Sequence, residues 1–309
     1  MKLYTTEKIR NIGLVGHGGT GKTSLAEAML FHTGANTRIG KVDDDSSVMN
    51  YDPEETKRKA TVGTSLAALE YKDHKINLLD APGFDDFLGE VYKISGAIDM
   101  AIVTVNAQSG VEVGTEKNWA ILEEAKTPRV VYLSKLDKEN INLDKTLTQL
   151  KSLDSKITPV IVPWGTFDKL KGVIDLIDMK AYAYTDDKGK AIEVKDVPAD
   201  MMDYAKGLRE PMVESIVECD EALMEKFFDG QEISPAELRA ALRKGLAKND
   251  IKPLVSGMAL KSIGTENLLD FIVTCTPSPA ECRVLPAVKA GTTEEVVFTN
   301  DPNGPVCGF

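Results

Sequence analysis

The chain has 309 residues, of which 42% are hydrophobic and 28% charged, and its formal net charge is −11 at pH 7. This acidic balance excludes non-specific binding to nucleic-acid phosphates through net charge, because such binding needs an excess of Lys and Arg. No apolar run is long enough to cross a bilayer, and residues 1–6 lack a signal-peptide core. The four cysteines have no metal-ligand spacing. We therefore expect a cytoplasmic, monomeric protein with reduced thiols and no membrane partner.

The first predicted element is a buried strand at residues 11–15, which leads into the glycine-rich run GHGGTGKT and then a helix at residues 24–30. This arrangement fits the phosphate-loop pattern, in which glycines let backbone N–H groups converge on a polyphosphate. We expect Lys22 to reach the β- and γ-phosphates and the Thr23 hydroxyl to ligate Mg²⁺. The predicted nucleotide-binding residues here are Gly16, His17, Gly18, Gly19, Thr20, Gly21, Lys22, Thr23 and Ser24.

Two more strands are predicted at residues 62–71 and 75–80, and the second ends in a D-x-x-G pattern that starts at Asp80. A carboxylate at a strand end can hold Mg²⁺ through a water molecule. The amide of Gly83 can sense a γ-phosphate, because glycine allows the backbone to approach closely. The pattern therefore predicts a second part of a nucleotide site.

Strands at residues 100–105 and 130–134 follow, and the second leads into Ser134-Lys135-Leu136-Asp137. This run resembles the N-K-x-D guanine-reading motif of GTPases, with Ser134 in the Asn place. Asp137 would accept hydrogen bonds from the guanine N1 and N2 donors, and the stem of Lys135 would cover the base. A last strand at residues 253–256 leads into a turn that would contact guanine O6 through a backbone amide, with the predicted residues Ser256, Gly257, Met258 and Ala259.

The interval between Asp137 and Ser256 is much longer than the short step of a compact GTPase, which indicates an insertion. Helix starts are predicted within it at Asp200, as a cap, and at Ser234, where Pro and Glu237 complete a capping-box pattern. Short strands are predicted there at residues 159–164, 172–175 and 181–185. We expect an α/β P-loop GTPase fold, with a mostly parallel sheet, helices on both faces and an inserted α+β subdomain.

Several longer segments resemble the N-terminal part of bacterial elongation factor G. They are residues 30–34, 38–42, 197–201, 221–226 and 276–279. The resemblance implies a GTPase domain, an inserted subdomain like G′, and the start of a truncated β-barrel domain. Their expected bounds are 1–157 and 253–280 for the GTPase domain, 158–252 for the insertion and 281–309 for the linker and barrel start. A turn at residues 300–305 and a strand-like tail at 306–309 also predict a fragment of a longer protein.

The resemblance implies a GTP-hydrolysing translation factor that binds GTP or GDP with Mg²⁺ and acts on the ribosome, in translocation or a related step. It also assigns a first switch at residues 58–62, where Thr61 would cap the γ-phosphate and Mg²⁺, and where Lys59 replaces the usual Gly. Acidic side chains of the insertion would meet a basic partner, which the resemblance suggests is the ribosomal stalk protein. An ordinary solvated helix face is the alternative for these residues, which are Glu214, Glu218, Asp220, Glu221 and Glu225.

The departures from the family pattern concern the reaction centre. Phe84 stands where the family has a His that orients the attacking water, and phenylalanine has no ring nitrogen to do so. Gly18 replaces an apolar gating residue, and Gly19 replaces a carboxylate that can help hold a monovalent cation. Loss of an orienting group costs about 10²–10⁴-fold in rate, so we predict impaired hydrolysis with retained GTP binding. The residues expected at the reaction centre are Lys22, Thr61, Gly83 and Phe84, with Thr23, Thr61 and Asp80 at the metal.

Alternatives stay open at this point. Asp85 or Asp86, or the ribosome, would restore the geometry around the water if hydrolysis is normal. The chain also fits a ribosome-protection or release-type translational GTPase, or a GTP-dependent ribosome-binding switch that scarcely hydrolyses GTP. A P-loop ATPase is a further alternative, against which Asp137 argues.

Overall fold

A ten-stranded sheet forms the centre of the computed structural model, which describes residues 2–186, 189–282 and 286–297. Its strands are β1 Ile9–Val15, β2 Ser65–Tyr71, β3 His74–Asp80, β4 Met100–Asn106, β5 Arg129–Ser134, β6 Ile157–Trp164, β7 Gly172–Asp175, β8 Lys180–Tyr184, β9 Ile192–Asp196 and β10 Lys252–Ser256. The spatial order is β2-β3-β1-β4-β5-β10-β6-β7-β8-β9. A separate two-stranded sheet pairs β11 Pro286–Val288 with β12 Glu295–Val297.

The strands from β3 to β6 in this order are parallel, whereas β2 and the three strands β7, β8 and β9 are antiparallel to their neighbours. The parallel strands are apolar runs because both of their faces are covered. β2 begins at Ser65, later than the predicted residue 62. The carboxylate of Glu55 accepts the amides of Val62 and Gly63 at 2.8 and 3.2 Å, so these amides cannot join the ladder.

Helices cover both faces of the sheet, as the sequence predicts. The helices are α1 Lys22–His32, α2 Pro53–Arg58, α3 Leu88–Ser95, α4 Val113–Glu124, α5 Leu143–Leu153, α6 Ala199–Val217, α7 Glu221–Phe228, α8 Pro235–Ala247 and α9 Thr265–Cys275. Two hydrophobic clusters result, one with side chains of α1, α6, α8 and α9 and one with side chains of α3, α4 and α5. The predicted α/β fold, with a mostly parallel sheet and helices on both faces, is thereby confirmed.

The two predicted helix starts of the insertion have different outcomes. Ser234 and Glu237 form the predicted capping box, with Ser234 N donating to the Glu237 carboxylate at 2.8 Å. The prediction that Asp200 caps a helix is wrong, because α6 already begins at Ala199 and Asp200 lies in its first turn. Extended Pro198 occupies the cap position, and its carbonyl accepts the first helical hydrogen bond.

The segment predicted to be an insertion, residues 158–252, continues the central sheet. β6 pairs in parallel with β10, from Ile157 opposite Lys252, and β7 to β9 extend the sheet outward from there. Among the residues that the structure describes, no helix combines the length and apolar character needed to span a bilayer. The predicted turn at residues 300–305 and the tail at 306–309 lie outside the described residues.

Candidate functional site

The candidate site is a cavity of about 460 Å³ at the carboxyl ends of the parallel strands. The phosphate loop follows β1, while Asp80, Ser134 and Ser256 are the last residues of β3, β5 and β10. Open α/β sheets bind ligands at this edge. The cavity is lined by Gly18, Gly19, Gly21, Lys22, Thr23, Ser24, Lys41, Val42, Asp43, Asp44, Asn50, Lys59, Ala60, Thr61, Gly83, Phe84, Lys135 and Leu260.

The glycines of the phosphate loop permit its conformation. Gly16 has a φ of 140°, and a Cβ there would lie 2.5 Å from the carbonyl oxygen of Thr104. Lys22, at the start of α1, donates from Nζ to the carbonyls of Gly16 and His17, each at 2.9 Å. Burial lowers the pKa of Lys22 to about 8, and the Asp80 carboxylate opposes this shift. The ammonium is thus held inside the loop, where a polyphosphate would lie.

A group of oxygen atoms lies around Thr23, which lines the same cavity as Lys22 together with Asn50 and Thr61. Thr23 Oγ1 donates to Asp80 Oδ2 at 2.6 Å and lies 3.2 Å from Thr61 Oγ1, which in turn donates to Asn50 Oδ1 at 3.2 Å. Asp80 is fully buried, and burial raises its pKa to about 6. Its Oδ1 atom and the Asn50 amide nitrogen have no hydrogen-bond partner among the residues that the structure describes. Hard divalent cations prefer such oxygen ligands, so these residues fit Mg²⁺.

Gly83 and Phe84 lie directly against the phosphate loop. A Cβ at Gly83 would come within 2.9 Å of the backbone N and Cα of Gly18, so only glycine fits without a shift. The Phe84 ring lies over Gly18, where a Cβ would be 3.2 Å from its Cε1 atom. The side chain of Phe84 remains 54% exposed. The two departures at positions 18 and 84 are therefore one contact, in which the missing side chain of one makes room for the ring of the other.

Asp85 and Asp86, the alternative groups for orienting water, are not among the described residues that line the cavity. The carboxylate of Asp85 pairs with Lys117 of α4 at 2.5 Å. Phe84 is thus the side chain that the segment after β3 presents to the cavity.

Ser134 connects the base-reading loop to the phosphate loop. Its hydroxyl donates to the carbonyl of Thr20 at 2.6 Å and is shared with the carbonyl of Val105 at 3.0 Å. The hydroxyl of Thr20 lies 2.7 Å from that of Thr104. Ser134 therefore links the base-reading loop to the phosphate loop through its hydroxyl, although it stands in the Asn place of the motif.

The two base-reading loops lie side by side. Gly257 N donates to the carbonyl of Leu133 at 3.0 Å, which places the loop after β10 next to the end of β5. Lys135 lines the cavity and has a left-handed backbone conformation, with a φ of 56°. Asp137, two residues further along the chain, is half-buried. Ser256, Met258 and Ala259 are buried and do not line the cavity as described. Leu260, which the sequence analysis missed, does line it.

His17 points away from the cavity. A Cβ at Gly114, in the first turn of α4, would lie 2.5 Å from His17 Nδ1, so the ring packs on that helix. Its Nε2 atom is 3.8 Å from a carboxylate oxygen of Glu112. The expected role of His17 in nucleotide binding would therefore involve its backbone.

Sequence reasoning missed Glu27, a fully buried carboxylate in the middle of α1. Its Oε1 atom accepts from Ser47 Oγ, Val48 N and Met49 N at 2.7, 2.6 and 3.1 Å. Its Oε2 atom accepts from Gly40 N at 3.1 Å. This one side chain holds both ends of residues 40–49, which precede the predicted first switch and of which residues 41–44 line the cavity. A charged residue inside an otherwise apolar helix segment is the signal that could have identified it.

Two comparisons with known proteins identify the family and a similar fold. The model of the elongation factor Tu GTP binding domain matches residues 7–278. The structure is also similar to the crystal structure of a protein from Thermus thermophilus, with a TM-score of 0.83 and 36% sequence identity over 89% of this chain. The chain spans 41% of that protein. The chain therefore belongs to the family of the elongation factor Tu GTP binding domain, and it has the fold of a P-loop GTPase.

Proposed function

We propose that this chain is the GTP-binding part of a translation factor that resembles elongation factor G and hydrolyses GTP poorly. Family membership and the buried Lys22 support binding of GTP or GDP. Mg²⁺ would be held by Thr23, Thr61 and, through water, Asp80, where it would neutralise phosphate charge. The protein would act as a monomer in the cytoplasm on the ribosome.

The observation that carries impaired hydrolysis is the ring of Phe84 over Gly18. Catalysis of phosphoryl transfer to water depends on positioning and electrostatics, and an orienting group is part of both. The ring offers no atom that accepts a hydrogen bond from water. It also fills space above the phosphate loop that a side chain at position 18 would otherwise take.

The insertion supplies the proposed contact with the ribosomal stalk protein. Four of its acidic residues are exposed on α6 and α7 or just between them, and they are Glu214, Glu218, Glu221 and Glu225. The fifth, Asp220, caps α7 and pairs with Lys244 at 2.5 Å, so its charge is already matched. Reversing the charge of the exposed four should slow association with ribosomes, while reversal of Asp220 alone should lower stability instead. Unchanged association rates after reversal of all four charges would favour the alternative, in which these residues form an ordinary solvated helix face.

The experiment on hydrolysis compares the native chain with Phe84→His under single-turnover conditions, with and without ribosomes. We expect the histidine variant to hydrolyse GTP about 10²-fold faster, the lower end of the usual effect of an orienting group. Tyr92→His is the matched control, because it places a histidine at an exposed aromatic position on the adjacent helix α3, outside the cavity. Equal affinities for GTP and GDP in all three proteins would show that binding is unaffected.

Two results would contradict the proposal. Ribosome-stimulated turnover of the native chain equal to that of Phe84→His would mean that another group orients the water. Binding of ATP in competition with GTP would favour the P-loop ATPase instead.

A second candidate is a ribosome-binding switch that scarcely turns over GTP. It is favoured by the combination of Phe84 with Gly19, since both remove groups from the reaction centre. It predicts GTP-dependent binding to ribosomes with negligible hydrolysis, whereas a ribosome-protection or release-type factor would turn over GTP on the ribosome.

A further inference from the structure

Four lysines line the nucleotide cavity, namely Lys22, Lys41, Lys59 and Lys135, and no role has been assigned to Lys59 so far. Lys59 follows α2 directly and lies two residues before Thr61. It lines the cavity together with Gly18, Gly19 and Lys22. The Lys59 side chain is 40% exposed, so its ammonium group has room to move.

The backbone conformation at Lys59 is one that favours glycine. Its φ is 51° and its ψ is 37°, in the left-handed region that glycine adopts without strain. A residue with a Cβ is less stable in this conformation by roughly 1–2 kcal/mol. The backbone conformation of Lys59 therefore does not stabilise the fold, and the reason for a lysine at this position has to lie in its side chain. An unfavourable conformation beside a binding site is an observation that points to a function.

The partner of Lys59 is weakly bound. Its Nζ atom pairs with a carboxylate oxygen of Asp45, which lies in the segment held by Glu27 and also has a left-handed φ, of 55°. Both side chains are substantially exposed, and pairs of this kind contribute about 0–1 kcal/mol. A phosphate group that carries more charge than one carboxylate can displace Asp45.

The phosphate loop leaves room for this ammonium. Gly19 lines the same cavity, and a Cβ built on it meets no atom of the described residues within 4 Å. Glycine thus leaves the cavity open to the loop backbone at this position. Lys22 is bonded to the carbonyls of the phosphate loop, so Lys22 and Lys59 reach the cavity from different segments of the chain.

We infer that Lys59 exchanges Asp45 for the terminal phosphate of GTP and so distinguishes GTP from GDP. The first switch then carries its own cation to the γ-phosphate. The inference rests on the proposed function, because it requires that the cavity binds guanine nucleotides.

The test is a titration of the full chain with GTP and with GDP for Lys59→Asn, Asp45→Asn and the native protein. Asparagine tolerates the left-handed conformation, so Lys59→Asn removes the charge without a new backbone problem. We expect it to weaken GTP binding about tenfold, the lower range for a charged hydrogen bond, and to leave GDP binding within about twofold. Lys57→Asn is the matched control, since it removes a positive charge from the same helix at a residue that does not line the cavity as described.

Asp45→Asn separates a ligand role from a structural one. If Lys59 binds the phosphate, Asp45→Asn releases the ammonium, and GTP affinity stays equal or rises. If the pair only fastens the switch, both variants weaken GTP binding alike, and the inference is wrong. An unchanged GTP to GDP ratio in Lys59→Asn would also overturn it. If the native chain binds neither GTP nor GDP, that result would instead contradict the proposed function on which the inference rests.

Discussion

Replacement of Glu27 by alanine should release residues 40–49 from the GTPase core without unfolding the core. The carboxylate accepts four hydrogen bonds, three of them from the backbone amides of Gly40, Val48 and Met49. Alanine keeps the helix intact, since it has the highest helix propensity. It leaves Gly40 N, Val48 N and Ser47 Oγ without their acceptor, whereas Met49 N keeps Ser47 Oγ at 3.2 Å. The three donors can regain partners only when the loop opens to water.

The magnitude follows from the number of bonds lost. At about 1 kcal/mol for each of the three donors that lose their acceptor, the free energy of local opening falls by about 3 kcal/mol. This corresponds to a rise of about a hundredfold in the open population. Local opening of this kind is a different event from global unfolding and has its own free energy.

Native-state hydrogen exchange measures this opening directly. We expect the amides of Gly40, Val48 and Met49 to exchange about a hundredfold faster in Glu27→Ala, by the same estimate. Amides of the central strand β4 should be much less affected. Glu55→Ala is a matched control, because it should speed exchange at Val62 and Gly63, whose amides bond to that carboxylate.

Equal exchange of the three loop amides in the variant and the native chain would refute this reasoning. So would uniform acceleration across β4, because it would show that Glu27 stabilises the whole fold and does not act on the loop. A linked result is expected for nucleotides, since the loop lines the cavity and its release should weaken binding.

Three further predictions concern single contacts. Ser134→Ala should weaken GDP binding about fivefold to tenfold, because the bond to the phosphate loop is lost; unchanged affinity in a nucleotide titration would contradict this. Gly83→Ala should lower the free energy of unfolding by about 1–3 kcal/mol, because its Cβ would press on Gly18, whereas Gly89→Ala, with open space around it, should not; equal midpoints in denaturant would argue against the contact. Burial raises the pKa of Asp99 to about 6, so its contribution to stability is full below about pH 4 and is lost as pH rises through 6; Asp99→Asn should remove that fall, and parallel pH profiles of unfolding would refute it.

The parts of the site that follow local rules were predictable from the sequence. The phosphate loop is encoded by glycines between a buried strand and a helix, and Asp80 follows from the rule that parallel strands end at one edge. These signals need no knowledge of distant residues. The structure accordingly brings Lys22, Thr23 and Asp80 together as the sequence predicts.

The parts that depend on tertiary contacts were not predictable. Glu27 stands out as a charge within an apolar helix segment, but its partners cannot be named until the loop that binds it is placed, and that loop has no periodic pattern. The bond of Ser134 to the phosphate loop depends on a short approach between two loops, which the sequence cannot measure. Asp200 shows the opposite error. Its local sequence is typical of a helix cap, but the extended Pro198 occupies the cap position.

The continuous sheet has a consequence for engineering of the chain. β10 carries one base-reading loop, and its outer side is covered by β6, which precedes the rest of the insertion. Removal of residues 158–252 would strip β10 of that neighbour and expose a row of unpaired backbone groups. An apolar edge strand of this kind recruits strands from other molecules. A shortened chain made this way should aggregate, whereas a deletion that keeps β6 and removes only the helices would leave the edge protected.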